Sequence, residues 1–310
     1  MPRPGVLVNA QARRVRRDPA LLKHLRELLP DGYVRSSANP GEIASALDAL
    51  RELEIDTLVL VGGDGTVGGT LTPLLARWPA EQLPALALAP GGTINTIARS
   101  LGARERPERL VRRLLEGGAP RVDTRRPLVH VRPADGEARA GMIFANGVAV
   151  RWLRLYYQRP RPGVGGAVST VARIVGSASI GGPLAHDLFS PAGVAIEVDG
   201  EHLKLERFTV MAAASVKHIG LGFRPFLTAG RDPERFHFAV TEASAARLCV
   251  EMPTLRLGLD AGPSCVHHYP ACRVSLRFAE AQPWSVDADL FPPVRELELS
   301  ATPPLRFVVP

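Results

Sequence analysis

Residues 57–66 read Thr57-Leu-Val-Leu-Val-Gly-Gly-Asp-Gly-Thr66, and residues 83–95 read Leu83-Pro-Ala-Leu-Ala-Leu-Ala-Pro-Gly-Gly-Thr-Ile-Asn95. Both stretches are short apolar runs that end in a glycine-rich, polar corner. An apolar run of this length, bounded by glycine or proline, is typical of a strand buried on both faces of a parallel sheet. Because ligands bind at the carboxyl ends of such strands, the two corners predict a binding site.

The chemistry of the corners favours phosphate as the ligand. Five residues carry no side chain there, so the backbone can approach a ligand closely: Gly62, Gly63, Gly65, Gly91 and Gly92. Free N–H groups in such turns bind phosphate oxygens. Asp64 would repel a bare phosphate, so it implies a cation or a sugar hydroxyl in between. A plain strand-to-helix turn explains one corner, but each corner also has a hydroxyl and a second polar group, namely Thr66 with Asp64 and Thr93 with Asn95.

Three common site motifs are missing from the sequence. No Gly-x-x-x-x-Gly-Lys-Ser/Thr stretch occurs, which excludes a P-loop. The corner after the first predicted strand reads Asn9-Ala-Gln-Ala, so the dinucleotide fingerprint Gly-x-Gly-x-x-Gly is missing as well. An esterase has no nucleophile to use, because no Gly-x-Ser-x-Gly elbow occurs.

Residues 62–66, followed by residues 90–102, resemble the diacylglycerol kinase catalytic-domain family. The second stretch reads Pro90-Gly-Gly-Thr-Ile-Asn-Thr-Ile-Ala-Arg-Ser-Leu-Gly102 and fits the family's Pro-x-Gly-Thr-x-Asn-x-x-Ala-Arg motif at every fixed place. The family includes bacterial lipid kinases and sphingosine kinases, with NAD kinases as more distant relatives. The resemblance implies ATP as the phosphate donor and Mg²⁺ between its phosphates.

The resemblance also implies which residues bind the nucleotide. Asn9 takes the place of the Asn in the family's first corner, and Ser37 keeps a hydroxyl where the family has a Thr, although Ser37 also suits a turn or cap. Gly68-Gly69 stand where the family has Asn-Glu, which removes two polar groups from the site. The predicted nucleotide-binding residues are Asn9, Ser37, Gly62, Gly63, Asp64, Gly65, Thr66, Gly68, Gly92, Thr93 and Asn95, and Asp64 is also a predicted metal ligand.

The second half of the chain resembles the family more faintly. Pro233 stands where the family has a metal-binding Asp, and Asp232 substitutes for it after a shift of one residue; loss of the metal site is the alternative. Residues 287–289 read Asp-Ala-Asp where the family has Asp-Gly-Glu. The resemblance makes Asp289 the general base and Asp287 its supporting neighbour, whereas a polar turn before a Pro pair is the alternative.

The fold class predicted is an α/β N-terminal domain with a parallel, Rossmann-like sheet, plus a mostly β, sandwich-like C-terminal domain. The alternation of strands and helices stops near residue 121, and short β-like runs separated by turns follow. We expect domains at residues 1–125 and 126–302, and a final strand at residues 303–310 that returns to the first domain, as in the family. Residues 151–157 mix aromatics with arginines, which suits either an interfacial face or core packing.

The composition limits which partners and which cellular compartment are expected for this protein. The net charge of +7 favours an anionic partner, or reflects a coding bias toward arginine that is scattered over the chain. The strongly basic corner at residues 11–17 is either a solvated loop or a phosphate-facing lip. No basic stripe interleaved with aromatics occurs, so nucleic acid is not expected. Three cysteines without a Cys-x-x-Cys motif predict reduced thiols in a cytoplasmic protein. The sequence contains no run of 18 apolar residues, so a transmembrane segment is not expected.

The function predicted is that of an ATP-dependent lipid kinase. It would transfer the γ-phosphoryl group to a hydroxyl of a diacylglycerol-like or sphingoid lipid at the membrane surface, which suggests a peripheral position at the inner membrane face. The departures at Gly68-Gly69, Pro233 and Asp289 keep two alternatives open: a nucleotide-binding regulator with little or no catalysis, and a kinase for a soluble acceptor. The sequence leaves the oligomeric state open, a homo-oligomer included.

Overall fold

The computed structural model describes residues 2–93, 95–158, 163–262 and 264–310, so Ile94 of the second glycine motif lies outside the described residues. The chain divides into two compact units. Unit 1 comprises residues 1–126 and 303–310, and unit 2 comprises residues 127–302.

Unit 1 alternates strands with helices. Its elements are β1 (Pro4–Asn9), α1 (Arg13–Arg17), α2 (Leu21–Leu28), β2 (Val34–Ser37), α3 (Pro40–Glu52), β3 (Thr57–Gly62), α4 (Asp64–Arg77), a 3₁₀ turn (Ala80–Gln82), β4 (Ala85–Pro90), α5 (Thr96–Ser100), α6 (Pro107–Glu116), β5 (Val122–Arg126) and, after unit 2, β17 (Leu305–Val309).

The described residues of unit 1 form a six-stranded sheet in the order β2-β1-β3-β4-β17-β5. All neighbouring strands are parallel except β5, which runs antiparallel to β17. Val59 and Val61 pack on one face of the sheet with side chains of α2 and α6, and the intervening Leu58 and Leu60 are buried as well. Burial on both faces explains why these strands are continuous apolar runs. The predicted parallel α/β domain is confirmed.

Unit 2 is dominated by strands, with helices inserted between them. Its elements are β6 (Val129–Pro133), β7 (Arg139–Gly141), β8 (Ile143–Gly147), α7 (Val148–Tyr157), α8 (Val164–Ser179), α9 (Pro183–Leu188), β9 (Ala192–Val198), β10 (Glu201–His202), β11 (Arg207–Phe208), β12 (Val210–Ala214), a 3₁₀ turn (Gly220–Gly222), β13 (Phe236–Thr241), α10 (Ala245–Leu257), β14 (His267–Ala271), β15 (Arg273–Val286) and β16 (Asp289–Ala301).

The strand pairs of unit 2 are antiparallel throughout the described residues. The main path of the sheet runs β14-β13-β12-β8-β15-β16-β6-β7, and β9 branches from β15. Large aromatic side chains fill its core, among them Phe144, Phe208, Phe236 and Phe238, and each is almost fully buried. The predicted β-rich C-terminal domain is therefore confirmed as an antiparallel sheet domain.

The hydropathy of the helices bears on membrane insertion. Within the described residues, no helix combines the length and the apolar character that crossing a bilayer requires.

Candidate functional site

The carboxyl ends of four neighbouring strands line up at one edge of the unit 1 sheet. Asn9 of β1 pairs in register with Ser37 of β2, and Gly62 of β3 pairs with Pro90 of β4. Val8 is paired with Val61, which brings the tip of β1 beside the tip of β3. Both glycine corners therefore start at the same edge, as expected for ligand sites in parallel sheets.

The two glycine corners touch each other through their main chains. The Gly91 N–H donates to the Gly62 carbonyl at 2.6 Å. A Cβ added to Gly92 would lie 2.5 Å from the Gly63 Cα, and one added to Gly63 would lie 3.0 Å from the Gly92 Cα. Real Cβ atoms do not come so close to backbone, so glycine is needed at Gly92 because the backbones meet here.

Asp64 joins the first corner to the helix that follows the second corner. Its carboxylate accepts hydrogen bonds from the Thr96 N–H at 2.8 Å and from the Ile97 N–H at 2.9 Å, both in the first turn of α5. A carboxylate at a helix N-terminus satisfies unpaired N–H groups and interacts favourably with the helix dipole. The sequence did not predict this structural role for Asp64.

Asn95 folds the second corner onto itself. Its φ of 54° lies in the left-handed region, which asparagine tolerates better than most residues. The side chain accepts from the Gly92 N–H at 2.8 Å and donates to the Gly92 carbonyl at 2.9 Å. Thr93 is left exposed between these two residues.

Asn9 connects the tip of β1 to the start of α4. Its Nδ2 donates to Thr66 Oγ1 at 2.7 Å, and its Oδ1 accepts from the Gln11 N–H at 2.8 Å. Ser37 is buried beside it. Gly65 is exposed in the first turn of α4, and Gly68 is half-buried one turn later. All the residues predicted to bind nucleotide thus lie at or next to one edge of the sheet.

Five arginines line a cleft of about 700 Å³ beside the second corner. Arg13, Arg14 and Arg17 come from α1, Arg99 belongs to the second glycine motif, and Arg104 follows that motif. The main chain of Arg14 donates to the Gly91 carbonyl at 3.0 Å, which fixes α1 against the corner. Its Nη1 atom is buried and has no hydrogen-bond partner among the described residues.

The cleft is electrostatically one-sided. Its described lining residues include no acidic side chain, so the arginine charges are not neutralised locally and favour a polyanion. The sequence allowed two interpretations of this basic segment, a solvated loop or a phosphate-facing lip. In the structure, Arg13–Arg17 form the short helix α1, which lines the cleft. Arg99 and Arg104 were missed, although Arg99 belongs to the second motif and Arg104 follows it closely.

Asp287 lies in the tight turn between β15 and β16. The φ angles of Asp287 and Ala288 are 48° and 75°, and two positive values match the type I′ turn of a two-residue hairpin. The Asp287 carboxylate accepts from the Met142 N–H at 3.0 Å and from the Ile143 N–H at 2.9 Å. A Cβ on Gly141 would lie 2.5 Å from Asp287 Oδ2, so this neighbour leaves room for the carboxylate.

Asp289 opens β16 on the far side of the same turn and is exposed. Surrounding protein atoms displace water from its carboxyl group and raise its pKa, while Arg139 acts in the opposite direction. Tyr157 donates its hydroxyl to the Ala288 carbonyl at 3.0 Å and thereby holds the turn. A positioned carboxylate with a raised pKa is suited to accept a proton.

The Asp232 carboxylate already contacts residues of its own loop. Its Oδ1 accepts from the Glu234 N–H at 2.8 Å, and its Oδ2 lies 3.7 Å from Arg235 Nε. Within the described part of the chain, no cluster of three or more His, Cys, Asp or Glu side chains is arranged to hold a metal ion. The assignment of Asp232 as a metal ligand stays a prediction.

The segment of arginines and aromatics at residues 151–157 lies in helix α7 and is partly covered, with Tyr156 buried and with Arg154 and Tyr157 exposed. Arg151 Nη1 donates to the carbonyl oxygens of Leu188 at 2.7 Å and Ser190 at 2.8 Å. The rings of Trp152 and Tyr156 stack with their centroids 5.3 Å apart. These contacts favour the packing interpretation of this segment over an interfacial one.

The comparison with known families defines the class of unit 1. Residues 3–126 match the diacylglycerol kinase catalytic domain, so the resemblance carried by the two glycine motifs is confirmed for this unit. A crystal structure of a Bacillus anthracis (strain Sterne) protein, assigned provisionally as a diacylglycerol kinase, has the same fold. Its TM-score is 0.71 at 16% identity, and the alignment covers 99% of this chain and 96% of that one. Yeast NADH kinase aligns less closely, with a TM-score of 0.50 at 11% identity over 100% of this chain and 84% of that one.

Individual relatives match the N-terminal region. A probable lipid kinase YegS-like of Enterobacter sp. (strain 638) is 33% identical over 106 residues, which is 33% of this chain and 35% of that protein. A probable lipid kinase YegS of Shigella flexneri is 31% identical over 91 residues, which is 29% of this chain and 30% of that protein. The matches thus span about a third of the length of these relatives.

Proposed function

We propose that this protein is an ATP-dependent lipid kinase that transfers the γ-phosphoryl group to a hydroxyl of a diacylglycerol-like or sphingoid lipid. The observation that carries the proposal is the direct contact between the two glycine corners beside a cleft lined by arginines. Phosphoryl transfer depends on positioning and on neutralising the charge of the phosphates. Main-chain N–H groups and fixed arginine charges are suited to both tasks.

The nucleotide would lie across the tips of the strands in unit 1. Gly63 and Gly92 are partly exposed and carry no side chain that would block phosphate oxygens, and Thr93 is exposed next to the cleft. Asn9 and Asn95 hold the two corners in shape through the hydrogen bonds described above. The arginines of α1 would then stabilise the charge on the β- and γ-phosphates.

The residues present are compatible with Mg²⁺ bound together with a nucleotide. Mg²⁺ is usually held by one or two carboxylates plus substrate phosphates. Asp64 is the acidic side chain of the corners, and each of its oxygens accepts one hydrogen bond from α5, which leaves further lone pairs. When bound, the ion would neutralise developing charge on the transferred group.

Asp289 is the proposed general base. It would accept the proton of the lipid hydroxyl as the oxygen attacks phosphorus, and Asp287 would keep the turn rigid through its bonds to the start of β8. Relatives named as lipid kinases support a lipid as the acceptor. We propose that the lipid is taken from a membrane surface.

The experiment that tests the proposal compares Asp289→Asn with the matched variant Asp135→Asn, whose carboxylate is exposed in another turn of unit 2. Nucleotide consumption and lipid phosphorylation are measured with a panel of lipid extracts. We expect Asp289→Asn to lower kcat by about 10²- to 10⁴-fold while nucleotide affinity is unchanged. Wild-type turnover in Asp289→Asn would remove the base from the proposal.

A catalytically weak nucleotide-binding regulator is the second candidate. The observation that favours it is that Asp232 is already engaged by its own loop and by Arg235. A regulator would bind nucleotide but would phosphorylate neither a lipid of the panel nor a soluble acceptor such as NAD. This result would distinguish it from a kinase.

A further inference from the structure

Helix α10 exposes an apolar stripe. Its exposed positions include Ala246, Val250, Pro253 and Leu257, which recur at the helical spacing i, i+4, i+7 and i+11 and therefore share one face. Val250 is 69% exposed and Leu257 is 67% exposed. A water-facing helix normally places polar residues on this face, so the stripe indicates a surface that contacts something other than water.

The neighbouring helix α8 continues this surface. The two helices pack against each other within unit 2. The exposed positions of α8 include Val168, Ala172 and Gly176, and Ile180 follows at the same spacing with 83% exposure. Residues 164–180 contain one basic residue, Arg173, and no acidic residue. We call the exposed sides of these two helices the α8–α10 face.

Basic residues lie at the edge of the α8–α10 face. Arg247 and Arg256 are exposed beside the apolar stripe. Glu251, the acidic residue in the α10 sequence, is paired with Arg247 at 2.9 Å and is mostly covered. Glu251 and Arg247 thus compensate each other, and the positive charge along this face comes from Arg256 and from Arg173 of α8, which are both exposed.

A small cleft at the end of α10 adds to the positive edge. Its volume is about 340 Å³, and Arg224, Arg256 and Leu257 contribute to its walls. The main-chain N–H of Arg224 donates to the Leu255 carbonyl at 3.0 Å, which ties this loop to the end of the helix. The Arg256 guanidinium donates to the Leu221 carbonyl, so this charged group is held at the cleft. The pKa of His218 in the same cleft is lowered by burial and by the charges of Arg224 and Lys217.

We propose that the α8–α10 face docks on an anionic lipid bilayer. Apolar side chains on one helix face enter the boundary between headgroups and acyl chains, while arginines at its edge contact lipid phosphates. A second copy of this chain fits the face less well. A two-fold interface places the same patch on both subunits, which would bring the two positive edges together.

Docking deepens the proposed function and rests on it, because a lipid kinase must reach an acceptor that resides in a membrane. The two can nevertheless be tested separately. Vesicle binding is measured without nucleotide, whereas phosphoryl transfer is measured with a short-chain, water-soluble lipid acceptor.

The experiment is co-sedimentation of the full chain with vesicles of phosphatidylcholine alone and of phosphatidylcholine with phosphatidylglycerol. The test variant is Val250→Asp/Leu257→Asp, and the matched control is Leu115→Asp, which changes an exposed leucine (38%) on α6 of unit 1. We expect the wild type and the control to bind anionic vesicles. The double variant should bind at least about tenfold more weakly, because it places carboxylates where the apolar stripe meets the bilayer.

Three results would overturn docking. They are wild-type protein that stays in the supernatant with anionic vesicles, equal binding by the double variant, and light scattering that reveals a wild-type dimer dissociated by the double substitution. Unchanged thermal unfolding of the double variant shows that its fold is intact. If vesicle binding holds while no lipid is phosphorylated, docking stands and the kinase proposal fails; the reverse pattern removes docking alone.

Discussion

Acid titration of unit 2 offers a sharp test of how its core is built. His237 lies on β13 and is fully buried. Its Nδ1 accepts from the Thr228 N–H at 3.2 Å, and its Nε2 lies 2.9 Å from His268 Nδ1. Burial, followed by the charges of His268 and Arg231, lowers the pKa of His237 to about 3. The imidazole is therefore neutral in the folded protein at any ordinary pH.

The lowered pKa has a stability consequence of known sign. In the unfolded chain a histidine has a pKa of about 6.5, so below that pH the unfolded state binds a proton that the folded state does not. The stability tied to His237 is present above about pH 6.5 and is lost as the pH falls toward the folded pKa of about 3. At about pH 4.5, two units below the unfolded value, His237 alone should lower the free energy of unfolding by about 2.7 kcal/mol.

Urea denaturation of the wild type and of His237→Gln measures this effect. The glutamine side chain is neutral at every pH, so it removes the titration while keeping polar atoms near Thr228 and His268. We expect the stability of the wild type relative to the variant to decrease by about 2–3 kcal/mol between about pH 7.5 and pH 4.5. Carboxylates contribute equally to both proteins and cancel. Parallel pH profiles for the two proteins would refute the buried, neutral imidazole.

Three substitutions test the geometry of the site. Gly92→Ala should lower the free energy of unfolding by about 1–3 kcal/mol, because the new methyl group would meet the Gly63 backbone at 2.5 Å. The control is Gly65→Ala, whose methyl group meets no atom within 4 Å, and it should change the free energy of unfolding by less than about 1 kcal/mol. Asp64→Asn should destabilise by about 0.5–2 kcal/mol in thermal unfolding, since α5 loses a charged cap. Asp287→Ala should shift the urea midpoint downward by an amount equivalent to about 1–3 kcal/mol, because two N–H groups of unit 2 lose their acceptor; an unchanged midpoint would contradict this.

Local patterns explain what could be predicted from the sequence. The strands around Val59 and Leu86 are apolar runs bounded by glycine or proline, and both their type and their carboxyl-end corners follow from that pattern. The meeting of the two corners was expected from the rule that adjacent parallel strands end at one edge. The α/β and β-rich halves were likewise visible as a change in spacing near residue 121.

Features that depend on distant residues could not be predicted. The partners of Asp64 lie 32 and 33 positions along the chain, so nothing in its own motif signals that the carboxylate caps α5. Helix α10 was missed because its apolar residues at Val250 and Leu257 face outward, which removes the usual contrast between a buried and a polar face. Ala288 at a positive φ is also unexpected, since glycine or asparagine is usual in such turns.

The position of β17 in the sheet of unit 1 has a consequence for biosynthesis. This strand lies between β4 and β5, yet about 180 residues separate it from β5 in the chain. A ribosome therefore releases the whole of unit 2 before the gap in the first sheet can be closed. Most of unit 1 is synthesised first, but its sheet is completed last. Until β17 pairs with β4, the edge of β4 is unpaired and accessible to chaperones.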